Sequence, residues 1–184
     1  MKKQYSQLVV LIIFILSIAA CQSPQEKLAA KIKSNESILF GDTLRTLNDS
    51  LALNTLNLYQ SYVSKFPEDS ASPEYLFKAA DLALGVKKAS EAMKSLSQLI
   101  EKYPNNNKAS SALFMQAFIN ETVLDNKEKA KEIYSKFMNQ YPDHPLYTSA
   151  VASYEQLVSG LSDEELIRMF ESKQDSLMLS TSKQ

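Results

Sequence analysis

The chain has 184 residues with 20 basic and 21 acidic side chains, which gives a formal net charge of −1 at neutral pH. This balance provides neither the basic surface that nucleic-acid binding requires nor a polybasic segment for anionic lipid headgroups. The single cysteine excludes an intramolecular disulfide. The length suits one domain that buries its own core.

The first 20 residues have the layout of a secretory signal peptide. Met1–Lys3 is a cationic start, Leu8–Ala20 is a run without any charge, and small residues stand directly before Cys21. The run is shorter than the stretch of about 20 residues that a transmembrane helix needs. We therefore expect residues 1–20 to be cleaved. An ordinary signal peptide followed by an accidental cysteine is the alternative.

The segment Ile18–Cys21 (Ile-Ala-Ala-Cys) resembles a bacterial lipobox. The resemblance implies that Cys21 is the lipidated first residue of the mature chain, anchored in a membrane through its acyl chains, of which several make the anchoring stable. By resemblance to sorted lipoproteins, an aspartate after the cysteine would retain the protein in the inner membrane. Gln22 stands there instead. The expected location is the outer membrane of a Gram-negative bacterium, facing the periplasm, with export to the cell surface as the alternative.

Residues 21–48 are predicted to form a lipid tether, over 22–25, and an N-terminal helix over 26–40. The long segments of the chain are rich in alanine, leucine, lysine and glutamate, which are strong helix formers. No segment alternates apolar and polar residues in the way of a β-strand. The three glycines, Gly41, Gly85 and Gly160, fall where helices are expected to end. The fold is predicted to be all-α.

A repeated pattern occurs three times in the middle of the chain. An aromatic residue precedes each of Pro67, Pro104 and Pro142, which are 37 and 38 residues apart. Apolar residues recur one, five and eight positions before each proline, on one stripe of a helix, and proline ends that helix. Such a period is typical of stacked helical repeats. The stripe consists of Tyr59, Tyr62 and Phe66, of Leu96, Leu99 and Tyr103, and of Tyr134, Phe137 and Tyr141, with the small residues Thr55, Ala92 and Ala130 twelve positions before the prolines.

Partner helices are predicted over 73–84 and 108–123, so that the helix pairs cover 73–104 and 109–142. The repeat domain extends over 49–160, from N-cap residues at 48–50 to a helix over 147–159 that ends at Gly160. A capping box, Ser162 with Glu165, predicts a last helix. Residues 161–184 are therefore interpreted as a C-terminal capping helix with a frayed tail.

These residues carry a second resemblance. Ala92, Leu96, Leu99 and Pro104, and again Ala130, Tyr134, Phe137 and Pro142, are similar to the second helix of the tetratricopeptide repeat. The resemblance implies a short right-handed α-solenoid of helix pairs with capping helices. Repeats longer than the usual length, about 34 residues, with Tyr-Pro between them, resemble periplasmic members, including the lipoprotein subunit of the outer-membrane β-barrel assembly machine.

By the same resemblance, the first helix of each pair lines a concave face. The family positions on that face fall on Phe77, Asp81, Met115, Ile119 and Thr122. Because three of these residues are apolar, we interpret the face as a groove for an amphipathic helix or an extended apolar segment of a partner protein. The alternative is that the last helix covers them through Ile167 and Phe170.

The sequence contains no pattern for a reaction. His144 is the only histidine and is predicted to be a turn residue, whereas a metal site needs several ligands and a serine nucleophile needs a base. We predict no catalytic residue, metal, cofactor or small-molecule substrate. The leading hypothesis is a non-catalytic, lipid-anchored adaptor for other envelope proteins, with outer-membrane protein assembly as the setting that the resemblance implies. A structural or self-assembling envelope spacer and a carbohydrate-related accessory protein are the alternatives.

Overall fold

The computed structural model describes residues 22–41 and 48–160, which contain seven α-helices and no strand. The all-α prediction is therefore confirmed for these residues. The predicted signal peptide, Cys21 and the predicted C-terminal helix lie outside them. The helices are α1 Pro24–Phe40, α2 Asp49–Lys65, α3 Ser72–Gly85, α4 Ala89–Lys102, α5 Asn107–Thr122, α6 Lys127–Gln140 and α7 Tyr147–Ser159.

The described residues divide into two compact units, with the boundary between Lys87 and Lys88. The first unit contains α1 to α3, and the second contains α4 to α7. The boundary thus falls inside the segment 49–160 that the sequence predicts as one repeat domain. Within the described residues, no helix is long and apolar enough to cross a membrane.

The predicted apolar stripe forms the interior of both units. The residues eight and five positions before each proline are buried in α2, α4 and α6, and the small residues twelve positions before it are fully buried. A small side chain at that position lets a neighbouring helix approach closely, which is why the repeat needs it. The stripe prediction is confirmed.

The turn after each proline has the same conformation in all three copies. The residue before the proline leaves the helical region, with φ and ψ of −131° and 56° at Phe66, −130° and 53° at Tyr103, and −134° and 59° at Tyr141. Proline disfavours helical backbone in the residue before it, so the dipeptide ends the helix. In each turn the carbonyl of this residue then accepts a hydrogen bond from the N–H three positions later.

The side chain at that third position closes the turn before the next helix. Asp69 Oδ1 accepts from the Ala71 N–H at 2.8 Å, and Asn106 Oδ1 accepts from the Lys108 N–H at 2.9 Å. His144 occupies the same position, and its Nδ1 accepts from the Leu146 N–H at 3.1 Å. The His144 imidazole therefore takes the role of acceptor that Asp69 and Asn106 have in the other two turns. Because Nδ1 accepts, a neutral His144 ring carries its proton on Nε2.

The first unit is built around α2, which packs against both α1 and α3. Asn48 caps α2, as predicted, by accepting from the Leu51 N–H. Helix α1 begins at Pro24, two residues before the predicted start, and Ile32 is its one buried residue. Polar contacts supplement this packing: the Gln25 side chain donates to the Tyr62 hydroxyl at 3.0 Å, and the Asn35 side chain donates to the Thr55 hydroxyl at 3.0 Å.

The second unit has a continuous apolar core. Helix α5 packs against α4 and α6, and α6 packs against α7. The rings of Tyr134 and Phe137 lie in this core, and the Phe114 ring meets both edge-on with centroid distances of 5.6 Å. Gly160 ends α7 with a φ of 65°, a left-handed conformation that glycine adopts without steric cost. The predicted end of this helix is confirmed.

Candidate functional site

A cleft of about 240 Å³ opens on the first unit where all three of its helices meet. Helix α1 contributes Glu36 and Phe40, α2 contributes Tyr59, and α3 contributes Lys78 and Asp81. The lining is mostly apolar in area and includes three charged side chains, Glu36, Lys78 and Asp81. The volume lies below the range of roughly 300–1,000 Å³ that small-molecule sites occupy. The cleft therefore suits a single large side chain better than a free small molecule.

The polar part of the cleft is centred on the Glu36 carboxylate. Its Oε1 accepts from the Tyr59 hydroxyl at 2.7 Å and from the Lys78 ammonium at 3.0 Å. Burial, together with the hydrogen bond to Glu36, raises the pKa of the Tyr59 phenol well above its ordinary value. The phenol therefore stays protonated and donates to the Glu36 carboxylate, which this hydrogen bond holds in place.

The aromatic part of the cleft combines a fixed ring with an exposed one. Tyr59 is 1% exposed and stacks on Tyr75 with a centroid distance of 5.4 Å. The Lys78 ammonium lies 6.0 Å from the centroid of the same Tyr75 ring. Phe40, at the end of α1, is 60% exposed. The cleft thus presents the exposed Phe40 side chain beside the Tyr59 ring, which packing and a hydrogen bond hold in place.

Four of the five predicted groove residues have surface in the structure. Asp81 is exposed and lines the cleft. Phe77 and Met115 are half-buried, and Thr122 is exposed with its hydroxyl donating to the Phe118 carbonyl at 2.8 Å. The structure brings Asp81 together with Glu36, Phe40, Tyr59 and Lys78. Whether the predicted groove residues bind a partner stays a prediction.

Ile119 is a correction to the predicted groove. Its side chain has no exposed surface, so it does not line an open face in the structure. Helix α5 packs against both α4 and α6 and buries residues on more than one of its faces. The small residues Ala112 and Ala117 of the same helix are fully buried, and small side chains allow neighbouring helices to approach closely. The predicted covering residues, Ile167 and Phe170, lie outside the described part of the chain.

The second unit contains a related but smaller cleft of about 150 Å³. Its lining includes Glu121, Lys127 and Leu157. As in the first unit, a buried stripe tyrosine donates to the glutamate: the Tyr134 hydroxyl lies 2.6 Å from Glu121 Oε2. Burial, followed by this hydrogen bond, raises the pKa of the Tyr134 phenol. Each unit therefore uses a tyrosine of its core to fix a carboxylate beside a cleft.

His144 has structural contacts on both ring nitrogens. Nδ1 caps the turn before α7, Nε2 lies 3.5 Å from the Ser111 hydroxyl, and the ring meets Phe137 edge-on. The prediction of a turn residue is confirmed. Within residues 22–41 and 48–160, no group of three or more His, Cys, Asp or Glu side chains is placed to hold a metal ion.

The cleft residues other than Asp81 were missed by sequence reasoning. The sequence predicts only an N-terminal helix over 26–40, although its last residue before Gly41 is an aromatic one, Phe40. A large apolar residue at the end of a helix that buries little else is the signal that could have indicated a surface role. Lys78 and Asp81, one helical turn apart on α3, provide the second signal.

Two segments of the chain, residues 74–106 and 111–144, match the model of the tetratricopeptide repeat family. They coincide with the two helix pairs predicted from the sequence, and they confirm the all-α repeat fold. Proteins with this repeat are generally non-catalytic adaptors that bind other proteins. No curated protein matches the chain.

Proposed function

We propose that this chain is a non-catalytic adaptor that binds other proteins of the bacterial cell envelope and is anchored to a membrane by acyl chains on Cys21. The two tandem matches to a protein-binding repeat carry the proposal. The cleft of the first unit supports it, because it offers an exposed aromatic side chain and charged groups in a volume suited to one side chain of a partner.

The start of α1 limits the distance between the first helix and a lipid anchor on Cys21. Helix α1 begins at Pro24, and its N-cap Ser23 forms a capping box with Glu26. The Ser23 hydroxyl accepts from the Glu26 N–H, and the Glu26 carboxylate accepts from the Ser23 N–H at 2.8 Å. Three residue steps separate Cys21 from the helix, a reach of at most about 11 Å. A lipidated Cys21 would therefore hold the first helix close to the membrane surface.

The setting follows from the leader and the residue after the cysteine. Gln22 at the position of an inner-membrane retention signal favours the outer membrane, and the location that we propose is its periplasmic side. Outer-membrane protein assembly is the pathway that we propose, on the resemblance of the Tyr-Pro repeats to the lipoprotein subunit of the β-barrel assembly machine. The same repeat pattern would suit an adaptor in another envelope complex, so the partner has to be identified directly.

Two measurements test the proposal. Intact-mass spectrometry of the membrane-extracted protein should find an acylated chain that begins at Cys21, and a Cys21→Ser variant should lose both the mass and the membrane fraction. Affinity capture after crosslinking in intact cells should recover an envelope protein with the wild-type chain and less of it with Cys21→Ser. Recovery of the chain alone would contradict the adaptor function. An unmodified cysteine would contradict the anchor.

A self-assembling spacer is the second candidate, because one observation favours it. Phe118, Val123 and Leu124 are between 45% and 53% exposed and lie close together in sequence at the end of α5. Exposed apolar side chains that form a contiguous patch are typical of an interaction surface, and the closeness of these three residues in sequence favours such a patch. Sedimentation velocity over a wide concentration range separates the two functions. A dimer that a Phe118→Ser change dissociates would favour the spacer, and a monomer at every concentration would exclude it.

A further inference from the structure

Helix α7 carries an apolar stripe that the described residues bury only in part. This outer stripe consists of Val151, Tyr154 and Val158, which lie three and four positions apart on one side of the helix. Val158 is 59% exposed, and Val151 and Tyr154 are half-buried. The one buried residue of α7 is Ala150, which lies in the core of the second unit. The apolar side of α7 is therefore wider than the surface that the other described helices cover.

The equivalent positions in α3 and α5 are buried. Counted from the three repeat prolines, positions nine and sixteen in α7 are Val151 and Val158. In the two earlier helices the same positions are at most 4% exposed, and they hold Leu76 and Ala83 in α3, and Leu113 and Asn120 in α5. Leu113 lies in one core with buried residues of α6, the next helix along the chain, so that helix helps to cover this side of α5. Helix α7 is the last described helix, so no such cover follows it within residues 22–41 and 48–160.

The sequence after α7 predicts a short connection to a further helix. Gly160 ends α7 in a left-handed conformation, with a φ of 65°, which is a common way for a helix to end. Ser162 and Glu165 follow with the spacing of a capping box, so the next helix is predicted to begin at residue 163. Residues 160–162 are then the whole connection. Two helices joined by so short a loop lie side by side and antiparallel.

The residues after Ser162 have the spacing of a buried second-helix face. In α4 and α6 the residues four, eight and eleven positions after the N-cap are fully buried, and they are Ala92, Leu96 and Leu99, and Ala130, Tyr134 and Phe137. After Ser162 the first two of these positions hold Leu166 and Phe170, with the apolar Met169 between them. The third position departs from the pattern, because it holds Lys173. The aliphatic part of a lysine can cover an apolar surface while its ammonium stays in water.

We propose that residues 163–173 form a helix that packs antiparallel on the outer stripe of α7. The short connection places Leu166 beside Val158. Because facing positions run in opposite order along two antiparallel helices, Phe170 then lies beside Tyr154. These two apolar side chains cover the part of α7 that the core of the second unit leaves exposed.

This contact goes beyond the proposed adaptor function, because it lies within one chain and forms whether or not a partner binds. Phe170 packs on α7, so this helix does not close the predicted groove. The outer stripe, in turn, is neither a surface for partner proteins nor a contact between two copies of the chain.

Disulfide formation in the full-length chain tests this packing in a Cys21→Ser background, where the two introduced thiols are the only ones. Lys173 faces Val151 in the proposed register, so a Val151→Cys, Lys173→Cys variant should form an intramolecular disulfide under mild oxidation. The matched control is Val151→Cys, Glu171→Cys, because two residues apart on a helix the side chains point in different directions. The control pair should form its disulfide at least tenfold more slowly.

Hydrogen exchange provides a second measurement that does not depend on cysteine geometry. Phe170→Ser should speed the exchange of the α7 amides near Val158 at least tenfold, because loss of the packed ring lets this end of α7 open more often. Leu179→Ser removes an apolar side chain outside the proposed helix and should leave the exchange unchanged.

Three outcomes would overturn this proposal. They are equal rates of disulfide formation in the two cysteine pairs, equal exchange of α7 in Phe170→Ser and Leu179→Ser, or a disulfide-linked dimer, since the segment would then pack on a second copy. None of them depends on the capture of a partner, so the adaptor function is tested separately.

Discussion

Replacement of Tyr134 by alanine is the most direct test of the repeat register. The Tyr134 ring has no exposed surface, its hydroxyl donates to Glu121 Oε2 at 2.6 Å, and its edge contact with Phe114 has a centroid distance of 5.6 Å. Tyr134→Ala removes all of these contacts and leaves a cavity in the core of the second unit. Such losses of an aromatic side chain cost about 3–5 kcal/mol in the free energy of unfolding.

A second substitution separates the ring from the hydroxyl. Tyr134→Phe keeps the packing and removes the hydrogen bond to a carboxylate, which costs about 1.5 kcal/mol. Hydrogen bonds to charged groups contribute about 1.5–3 kcal/mol. Glu121 is only half-buried, so water can replace the lost donor, and the cost should fall at the lower end of this range. The difference between the two variants, about 1.5–3.5 kcal/mol, then measures the packing of the ring alone.

Urea unfolding followed by far-UV circular dichroism provides the assay, with the slope of the free energy against urea compared between variants. Tyr147→Ala is the matched control, because Tyr147 is a tyrosine of the same unit with 36% exposure, and surface changes usually stay within about 0.5 kcal/mol. If Tyr134→Ala is no more destabilising than Tyr147→Ala, the assignment of the stripe to the core is wrong.

Three further predictions test local features. Folding raises the pKa values of Tyr59 and Tyr134, so their stabilising effect is complete below the pKa of an unfolded tyrosine, about 10, and is lost as pH rises beyond it. Thermal melts at increasing pH should show this loss of stability. A Tyr59→Phe, Tyr134→Phe double variant that loses stability with pH as steeply as wild type would contradict the assignment. His144→Asn and His144→Ala both lose the edge contact with Phe137, but only asparagine keeps an acceptor for the Leu146 N–H. The alanine variant should therefore be about 1 kcal/mol less stable than the asparagine variant, and equal melting temperatures of the two variants would contradict this role of the side chain in the turn. Gly160→Ala places a Cβ at a φ of 65° and should cost about 1 kcal/mol by calorimetry, so an alanine variant as stable as wild type would argue against the left-handed helix end.

The helices and their ends could be predicted because they depend on residues close in sequence. The stripe of α6 is set by offsets of three and four residues between Ala130, Tyr134 and Phe137, and these offsets alone determine which face is buried. The dipeptide Tyr141–Pro142 ends the helix through the backbone of two neighbouring residues. The prediction at Ile119 failed for the opposite reason. Its burial depends on the tertiary packing of α5, which a family position does not specify.

The cleft could not be predicted because its polar contacts join distant residues. Glu36 lies 23 residues from Tyr59 and 42 residues from Lys78, and no periodic pattern links these positions. The repeat requires a large apolar residue eight positions before the proline, and Leu96 in α4 satisfies it as well as Tyr59 or Tyr134. Only the tyrosines carry a hydroxyl that can hold a carboxylate at the surface. The fold therefore depends on the apolar part of the residue eight positions before the proline. The chemistry of each cleft depends on whether this residue also has a hydroxyl, and on which acidic residue the preceding helix places beside it.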